Sequence, residues 1–96
     1  MGKRISLKKH RFILRQYAGT TPSKRKAIVQ GAPSVFFTLM HEIGRKALKL
    51  GIRKSISKKL LDSSGIKDVL IKNNKLVAEI IRKVLQNESL YSGPHA

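Results

Sequence analysis

The 96-residue sequence contains no cysteine and no tryptophan, and only five acidic residues. Without cysteine, neither a disulfide framework nor a thiolate zinc site can form. Small secreted domains usually depend on such links, so we expect an intracellular protein, in the nucleus or inside a virion, rather than a secreted one. No apolar run approaches the ~20 residues of a membrane span. The charged start M-G-K-R-I-S-L-K-K-H also lacks the apolar block of a signal peptide.

Aromatic residues are equally few, with three Phe and two Tyr. Single-strand binding proteins stack bases on exposed aromatic rings. Here, however, four of the five rings fall on or beside predicted apolar helix faces, and we expect them to pack in the core. The five are Phe12, Tyr17, Phe36, Phe37 and Tyr91, of which Tyr91 is the exception.

The few acids and histidines are poorly placed for catalysis or metal binding. The acids are scattered, which leaves little material for paired-carboxylate chemistry. His41-Glu42 begins like a zinc-protease helix, but the second histidine of that motif would fall at Arg45. His10, His41 and His95 are far apart in sequence. We therefore expect no enzyme, no catalytic residue, no metal site and no cofactor.

Positive charge is what the sequence has in excess. Lys and Arg number 21, for a formal net charge of +16. Solubility alone needs a net charge of only about 2–8 for a small domain, and like charges oppose compaction. The first acid is Glu42, and residues 45–59 contain none. The N-terminal two-thirds of the chain is therefore predicted to face a polyanionic partner.

Apolar spacing and capping residues indicate helices. Thr21-Pro22 is a suitable helix start, because threonine can cap and proline at the first position loses no bond. Gly19, Gly31 and Gly51 are suitable stops. Gly44 lies inside a predicted helix, which favours close packing against a neighbouring helix. The spacing predicts helices over residues 5–18, 24–30, 34–50, 58–63 and 68–86, the fourth capped by Ser57.

These elements predict an all-α fold, a compact bundle of four to five short helices with a disordered C-terminal tail. The helical domain covers residues 1–87 and the tail residues 88–96. Asn73-Asn74 leaves an alternative open, since it could form a hairpin turn or restart a helix with Asn74 as its cap. The apolar spacing continues through Leu85 and favours the helix.

A basic helical domain without a base-reading motif most naturally binds the backbone of nucleic acid, DNA rather than RNA. Such contacts position the protein on the nucleic acid without selecting a base sequence, so packaging or architectural binding is expected. Whether the domain also pairs with a second copy stays open. The predicted contacts lie on the first helix, the second helix and the end of the third: Lys8, Lys9, Arg11, Arg15, Lys24, Arg25, Lys26, Arg45, Lys46, Lys49, Arg53 and Lys54.

Three other functions fit parts of the sequence. The segment 24–30, a Gly-Ala-Pro turn and the next helix could form a helix-turn-helix regulator, although the second helix starts with the apolar V-F-F. Met1-Gly2-Lys-Arg-Ile-Ser6 fits the N-myristoylation pattern and, with a basic patch, indicates a matrix-like protein on an anionic membrane. Ribosome-associated proteins are equally basic.

Residues 8–51 carry a family resemblance. They include K-K-H-R-F-I-L-R-Q-Y, then P-S-K-R-K-A-I-V-Q-G-A-P-S-V, then K-A-L-K-L-G. This order resembles small basic proteins of Maverick/Polinton-type elements and their adenovirus-like relatives, and it implies a virion-associated or DNA-condensing role. The remainder departs from that pattern, since those proteins usually continue far more basic with a glycine-rich apolar tail. The resemblance assigns no functional residue.

Overall fold

A computed structural model of the protein describes the backbone of residues 7–92 and the side chains of residues 7–87. This part of the chain is all-α, as predicted, and contains no strand. Its six helices are α1 Arg11–Ala18, α2 Pro22–Gly31, α3 Pro33–Leu50, α4 Lys54–Lys59, α5 Ile66–Lys72 and α6 Asn74–Ser92.

Three predicted helix boundaries are confirmed by their caps. Thr21 Oγ1 accepts the backbone N–H of Lys24 at 3.4 Å, and Pro22 is the first residue of α2. Gly19 follows the last residue of α1. Gly51 ends α3 in the left-handed conformation, with φ of 73°, which glycine adopts without the strain of a Cβ.

The first helix is shorter than predicted. Residues 7–10 form a turn in which the N–H of His10 bonds the carbonyl of Leu7, so α1 begins only at Arg11. The predicted helix also included residues 5–6, which lie outside the described residues.

The fourth helix starts earlier than predicted. Ser57 lies within α4 instead of capping a helix at 58–63, and its Oγ donates to the carbonyl of Ile52 at 2.7 Å. Helix α4 is preceded by Arg53, the one non-glycine with positive φ among residues 7–92, at 37°. The buried Ser57 hydroxyl therefore ties the start of α4 to the turn that leaves α3.

The region around Asn73-Asn74 is helical, as favoured, but it breaks into two helices, which raises the count to six. Asn73 leaves helical geometry with φ of −117°, and the Asn74 amide donates to the carbonyl of Ile71 at 3.2 Å. Helix α6 then continues to Ser92, into the segment predicted as a tail. Residues 93–96 of that segment lie outside the described residues.

The core lies where α1, α3 and α6 meet. Tyr17 of α1 packs on Phe36 of α3 with ring centroids 4.9 Å apart, and both are fully buried. Helix α4 joins this core through Gly44, because a Cβ there would lie 2.9 Å from Leu60 Cβ and from the Ser57 carbonyl. The glycine was predicted to allow close packing of a neighbouring helix, and it does.

The predicted burial of the aromatic rings holds for Tyr17 and Phe36, and Phe37 packs partly against the core. It is wrong for Phe12, which is 80% exposed. On α1 the inward face is taken by Leu14 and Tyr17, with Ile13 partly buried beside them, so Phe12 falls on the opposite side. The side chain of Tyr91 lies outside the described residues.

Candidate nucleic-acid interface

The basic run Lys24-Arg25-Lys26 lies in the first turns of α2, as predicted, but its three side chains do different things. Arg25 is only 8% exposed. Its Nε donates to the carbonyl of Tyr17 at 3.0 Å, and its Nη2 donates to that of Ala18 at 3.4 Å. Its Nη1 donates to Asn74 Oδ1 at 2.8 Å. The inclusion of Arg25 among the phosphate contacts is therefore a misassignment, because its guanidinium is occupied inside the fold.

A second arginine completes this arrangement from α6. Arg82 Nη1 donates to the carbonyl of Ala18 at 2.8 Å, and Arg25 also lies over the ring of Tyr17, 5.9 Å from its centroid. The last carbonyls of α1 have no partner within their own helix, and cations suit that negative end of the helix dipole. Arg25 and Arg82 together hold the end of α1 against α2 and α6.

Lys24 and Lys26 are both exposed, on either side of the inward Arg25. Lys26 lies beside a groove of about 300 Å³ between α2, α3 and α5, and Lys67 of α5 lines the same groove. The floor is apolar, formed largely by Val29, Phe37 and Ile71. Lys67 was not among the predicted contacts. It lies at the same groove as Lys26 only because α5 packs beside α2 and α3.

One group of predicted residues lies on α1 and in the turn before it. Lys8 and Arg11 line a small cleft beside Leu85 of α6. Arg15 and Arg82 line the adjoining cleft, which also contacts Leu85. The four cations around Leu85 are called the basic seam below: Lys8, Arg11, Arg15 and Arg82. Lys9 is exposed in the turn that carries Lys8.

A second group stands at the C-terminal half of α3, where Arg45, Lys46 and Lys49 line one cleft with Leu61. Arg45 also pairs with the buried Glu42 at 3.5 Å. This group is therefore brought together as predicted, but part of its charge is balanced within α3.

The two remaining predicted residues stand at the start of α4. Arg53 Nη2 lies 3.0 Å from Glu79 Oε1, and Lys83 Nζ lies 3.5 Å from the other oxygen of the same carboxylate. The hydrogen bond from Arg53 is the main cause that lowers the pKa of Glu79. Arg53 is thus engaged with α6, whereas Lys54 is exposed at the first position of α4.

The four acids whose side chains are described all have partners within the molecule. Besides the pairs of Glu42 and Glu79, Asp68 pairs with Lys72 at 3.5 Å. Asp62 accepts hydrogen bonds from the backbone and hydroxyl of Ser64, and these lower its pKa. The cations that form no ion pair with another described residue include Lys8, Lys9, Arg15, Lys24, Lys26, Lys49 and Lys54.

The geometry does not favour α3 as a recognition helix. Only Ala32 separates α2 from α3, and the inward face of α3 is fully buried. Thr38 Oγ1 donates to the carbonyl of Ser34. The exposed positions in the first turns of α3 are Pro33, Ser34, Val35, Thr38 and His41. Lysine and arginine appear on α3 only from Arg45 onward.

Sequence reasoning missed Arg82 and Lys67, because both lie in the third of the chain with nearly balanced charge. Among the described side chains, residues 7–87, there is no group of three or more His, Asp or Glu that could hold a metal ion. No described helix is long and apolar enough to span a membrane. No protein-family model matches the chain, and no curated protein or solved structure is significantly similar to it.

Proposed function

We propose that the protein is a non-enzymatic nucleic-acid-binding protein that grips the phosphate backbone, DNA in preference to RNA, without selecting a sequence. The observation that carries this proposal is the basic seam, where Arg11 and Arg15 of α1, Arg82 of α6 and Lys8 of the turn before α1 lie around Leu85. Among the residues whose side chains are described, no acid lines these clefts. Lysine and arginine side chains bind phosphates of any sequence and release condensed counterions.

The distribution of the other cations supports a long polyanion over a small anion. Lys26 with Lys67, and Arg45 with Lys46 and Lys49, form further groups at separate places on a molecule about 37 Å in its longest dimension. A single phosphate or carboxylate can occupy only one of these places. A nucleic-acid strand can contact several at once, and each added phosphate contact strengthens binding.

On this proposal the protein coats or condenses DNA, in a nucleus or a virion, and does not read an operator. Contacts from basic side chains to phosphates carry no base information. The exposed residues at the start of α3 add none of the arginine, asparagine or glutamine side chains that form bidentate contacts with bases.

The test is a salt series of equilibrium binding to a short duplex DNA, to single-stranded RNA and to anionic vesicles. The double variant Lys8→Ala/Arg15→Ala removes two cations of the seam. The matched control Lys72→Ala/Lys83→Ala removes the same charge from residues paired with Asp68 and Glu79. We expect the seam variant to flatten the log–log salt slope by about 2. The control should change it much less.

Two outcomes would overturn the proposal. Binding to vesicles with no binding to either nucleic acid in dilute buffer would identify a membrane-facing protein instead. Equal losses in the seam variant and the control would show that net charge alone, and not the seam, attracts the polyanion. Equal affinity for scrambled duplex sequences is the expected result for wild type.

A further inference from the structure

Phe12 is the most exposed large apolar side chain among the residues whose side chains are described. It is 80% exposed, whereas Val35, Leu50 and Ile71 are between 43% and 45% exposed and are aliphatic. The ring stands on the outer side of α1, opposite Leu14 and Tyr17, which are fully buried. Nothing in the core packing of α1 requires an aromatic ring at this position.

The neighbours of Phe12 are polar and mostly cationic. Side chains three and four positions apart are neighbours on a helical surface. For Phe12 these are Arg15 and Gln16, in the following turn of α1. Lys8 and Lys9 lie four and three residues before Phe12, in the non-helical turn that leads into α1, and all four side chains are exposed. Lys8, Lys9 and Arg15 form no ion pair with a described residue. An open aromatic face is thus flanked by cations that are free to bind phosphates.

We propose that Phe12 stacks on an unpaired nucleobase while Lys8, Lys9 and Arg15 bind the phosphates on either side of it. This inference rests on the proposed function and deepens it, because it makes single-stranded or locally unwound nucleic acid the preferred form. Proteins that bind single strands without sequence preference combine a cationic surface with exposed aromatic side chains. In an intact duplex the bases are already stacked on one another, so Phe12 contributes little there.

Two other occupants of this surface are disfavoured by its charge and shape. A second copy of the chain would bring together two molecules of formal charge +16, with cations around the contact. A membrane could accept Phe12 as an apolar anchor next to lipid phosphates. That occupant differs in one testable respect, because any large apolar side chain serves as an anchor, whereas stacking requires a flat aromatic ring.

The first experiment compares affinities for a single-stranded oligonucleotide and for its duplex at one salt concentration. Phe12→Ala should weaken single-strand binding about 5- to 100-fold and leave duplex binding nearly unchanged. Phe12→Tyr should keep the wild-type preference, and Phe12→Leu should behave as Phe12→Ala. Val35→Ala, which removes an exposed aliphatic side chain at the start of α3, away from the cation groups, is the matched control and should change neither affinity.

The second experiment uses the absence of tryptophan from the sequence. Phe12→Trp introduces a single fluorophore, whose emission should be quenched by the single strand and hardly changed by the duplex. Val35→Trp should report no quenching. Because position 12 is mostly exposed, these variants should fold as wild type does, and helical content by circular dichroism checks this.

The results separate failure of this inference from failure of the proposed function. If wild type binds nucleic acid and Phe12→Ala binds the single strand equally well, the stacking role is overturned and backbone binding stands. If wild type binds no nucleic acid, the proposed function itself fails. A blue shift in the emission of the Phe12→Trp variant on anionic vesicles, with no quenching by oligonucleotide, would also overturn the inference in favour of membrane contact.

Discussion

The cations of α1 and α2 and those of α4 to α6 have different surroundings. In the second region Glu79 holds Arg53 and Lys83, and Asp68 holds Lys72. The first region contains no acid. There, Arg25 is held by two backbone carbonyls and an amide oxygen, and its neighbours Lys24 and Lys26 are exposed. Some cations of the second region thus pair with the molecule's own acids, whereas no acid lies on α1 or α2 to pair with theirs.

The difference also shows that a basic run is not a single functional unit. Lys24, Arg25 and Lys26 are consecutive, but a helix turns by about 100° per residue and sends them in three directions. The middle residue points at the end of α1 and supports the fold. The outer two are exposed. On the proposed function, substitutions along the run should therefore divide into a stability effect at Arg25 and binding effects at Lys24 and Lys26.

The largest expected effect comes from Arg25→Ala. It would leave the carbonyls of Tyr17 and Ala18 and the Asn74 side chain without this donor in a buried site. We expect a loss of about 2–4 kcal/mol in the free energy of unfolding, measured by chemical denaturation. Lys24→Ala is the control and should stay within about 0.5 kcal/mol of wild type. Similar losses for both variants would contradict the division of roles.

Gly44→Ala tests the close contact between α3 and the segment that carries α4. The new Cβ would lie 2.9 Å from Leu60 Cβ and from the Ser57 carbonyl, so the helices must separate. We expect about 1–3 kcal/mol of destabilisation, despite the better helix propensity of alanine. Gly31→Ala is the matched control, since nothing lies within 4 Å of its Cβ, and it should be neutral or slightly stabilising. Thermal unfolding of the two variants distinguishes them.

Glu79→Gln should make the cations near α4 and α6 resemble those of α1 and α2, which have no acid beside them in sequence. Loss of the carboxylate releases Arg53 and Lys83 from their ion pairs. We expect duplex DNA affinity to rise and the log–log salt slope to steepen by about 1–2. The free energy of unfolding should change by less than about 1 kcal/mol, because these pairs are partly exposed.

Asp62→Asn is the control for that variant. It changes the net charge equally, but Asp62 bonds Ser64 and pairs with no described cation. An equal rise in affinity for both variants would show that internal pairing does not decide which cations bind DNA.

Tyr17→Phe should have the smallest effect at neutral pH. The Tyr17 hydroxyl is buried without a hydrogen-bond partner among the described residues, so its removal should change stability by less than about 1 kcal/mol, and in the stabilising direction. Burial, only partly offset by Arg25, raises the pKa of Tyr17 from 10.0 to about 12.

This pKa shift predicts that the stabilities of wild type and of Tyr17→Phe respond differently to alkaline pH. An unfolded chain ionises this tyrosine near pH 10, whereas the folded chain resists ionisation until about pH 12. The free energy of unfolding of wild type should therefore fall between about pH 10 and pH 12. Above this range, the stability that comes from keeping Tyr17 protonated is lost. The Tyr17→Phe variant should lack the loss of stability that ionisation of Tyr17 causes. Urea titrations of both proteins at pH 8 and pH 11 measure this difference in unfolding free energy. Parallel declines would contradict the burial of the hydroxyl.

Much of the fold could be predicted because its signals are local. Thr21-Pro22 and Gly51 mark helix ends through backbone geometry that a few neighbouring residues determine. Gly31 was predicted to stop α2 after Gln30, but it is the last helical residue and Ala32 is the cap. Ser57 was misassigned as a cap because its hydroxyl bonds back to Ile52, on the far side of a turn. The break at Asn73 was left open because both helix and turn satisfy the same short segment.

The sequence by itself determined that the chain is helical, strongly cationic and poor in acids before residue 42, since these depend on composition and local spacing. Only the tertiary structure decided which cations serve the fold and which face outward. Arg25 is buried because Asn74, far along the chain, and the end of α1 meet it there, and Arg82 joins the seam because α6 docks on α1. Such roles depend on contacts between distant segments, which neither periodicity nor charge counting contains.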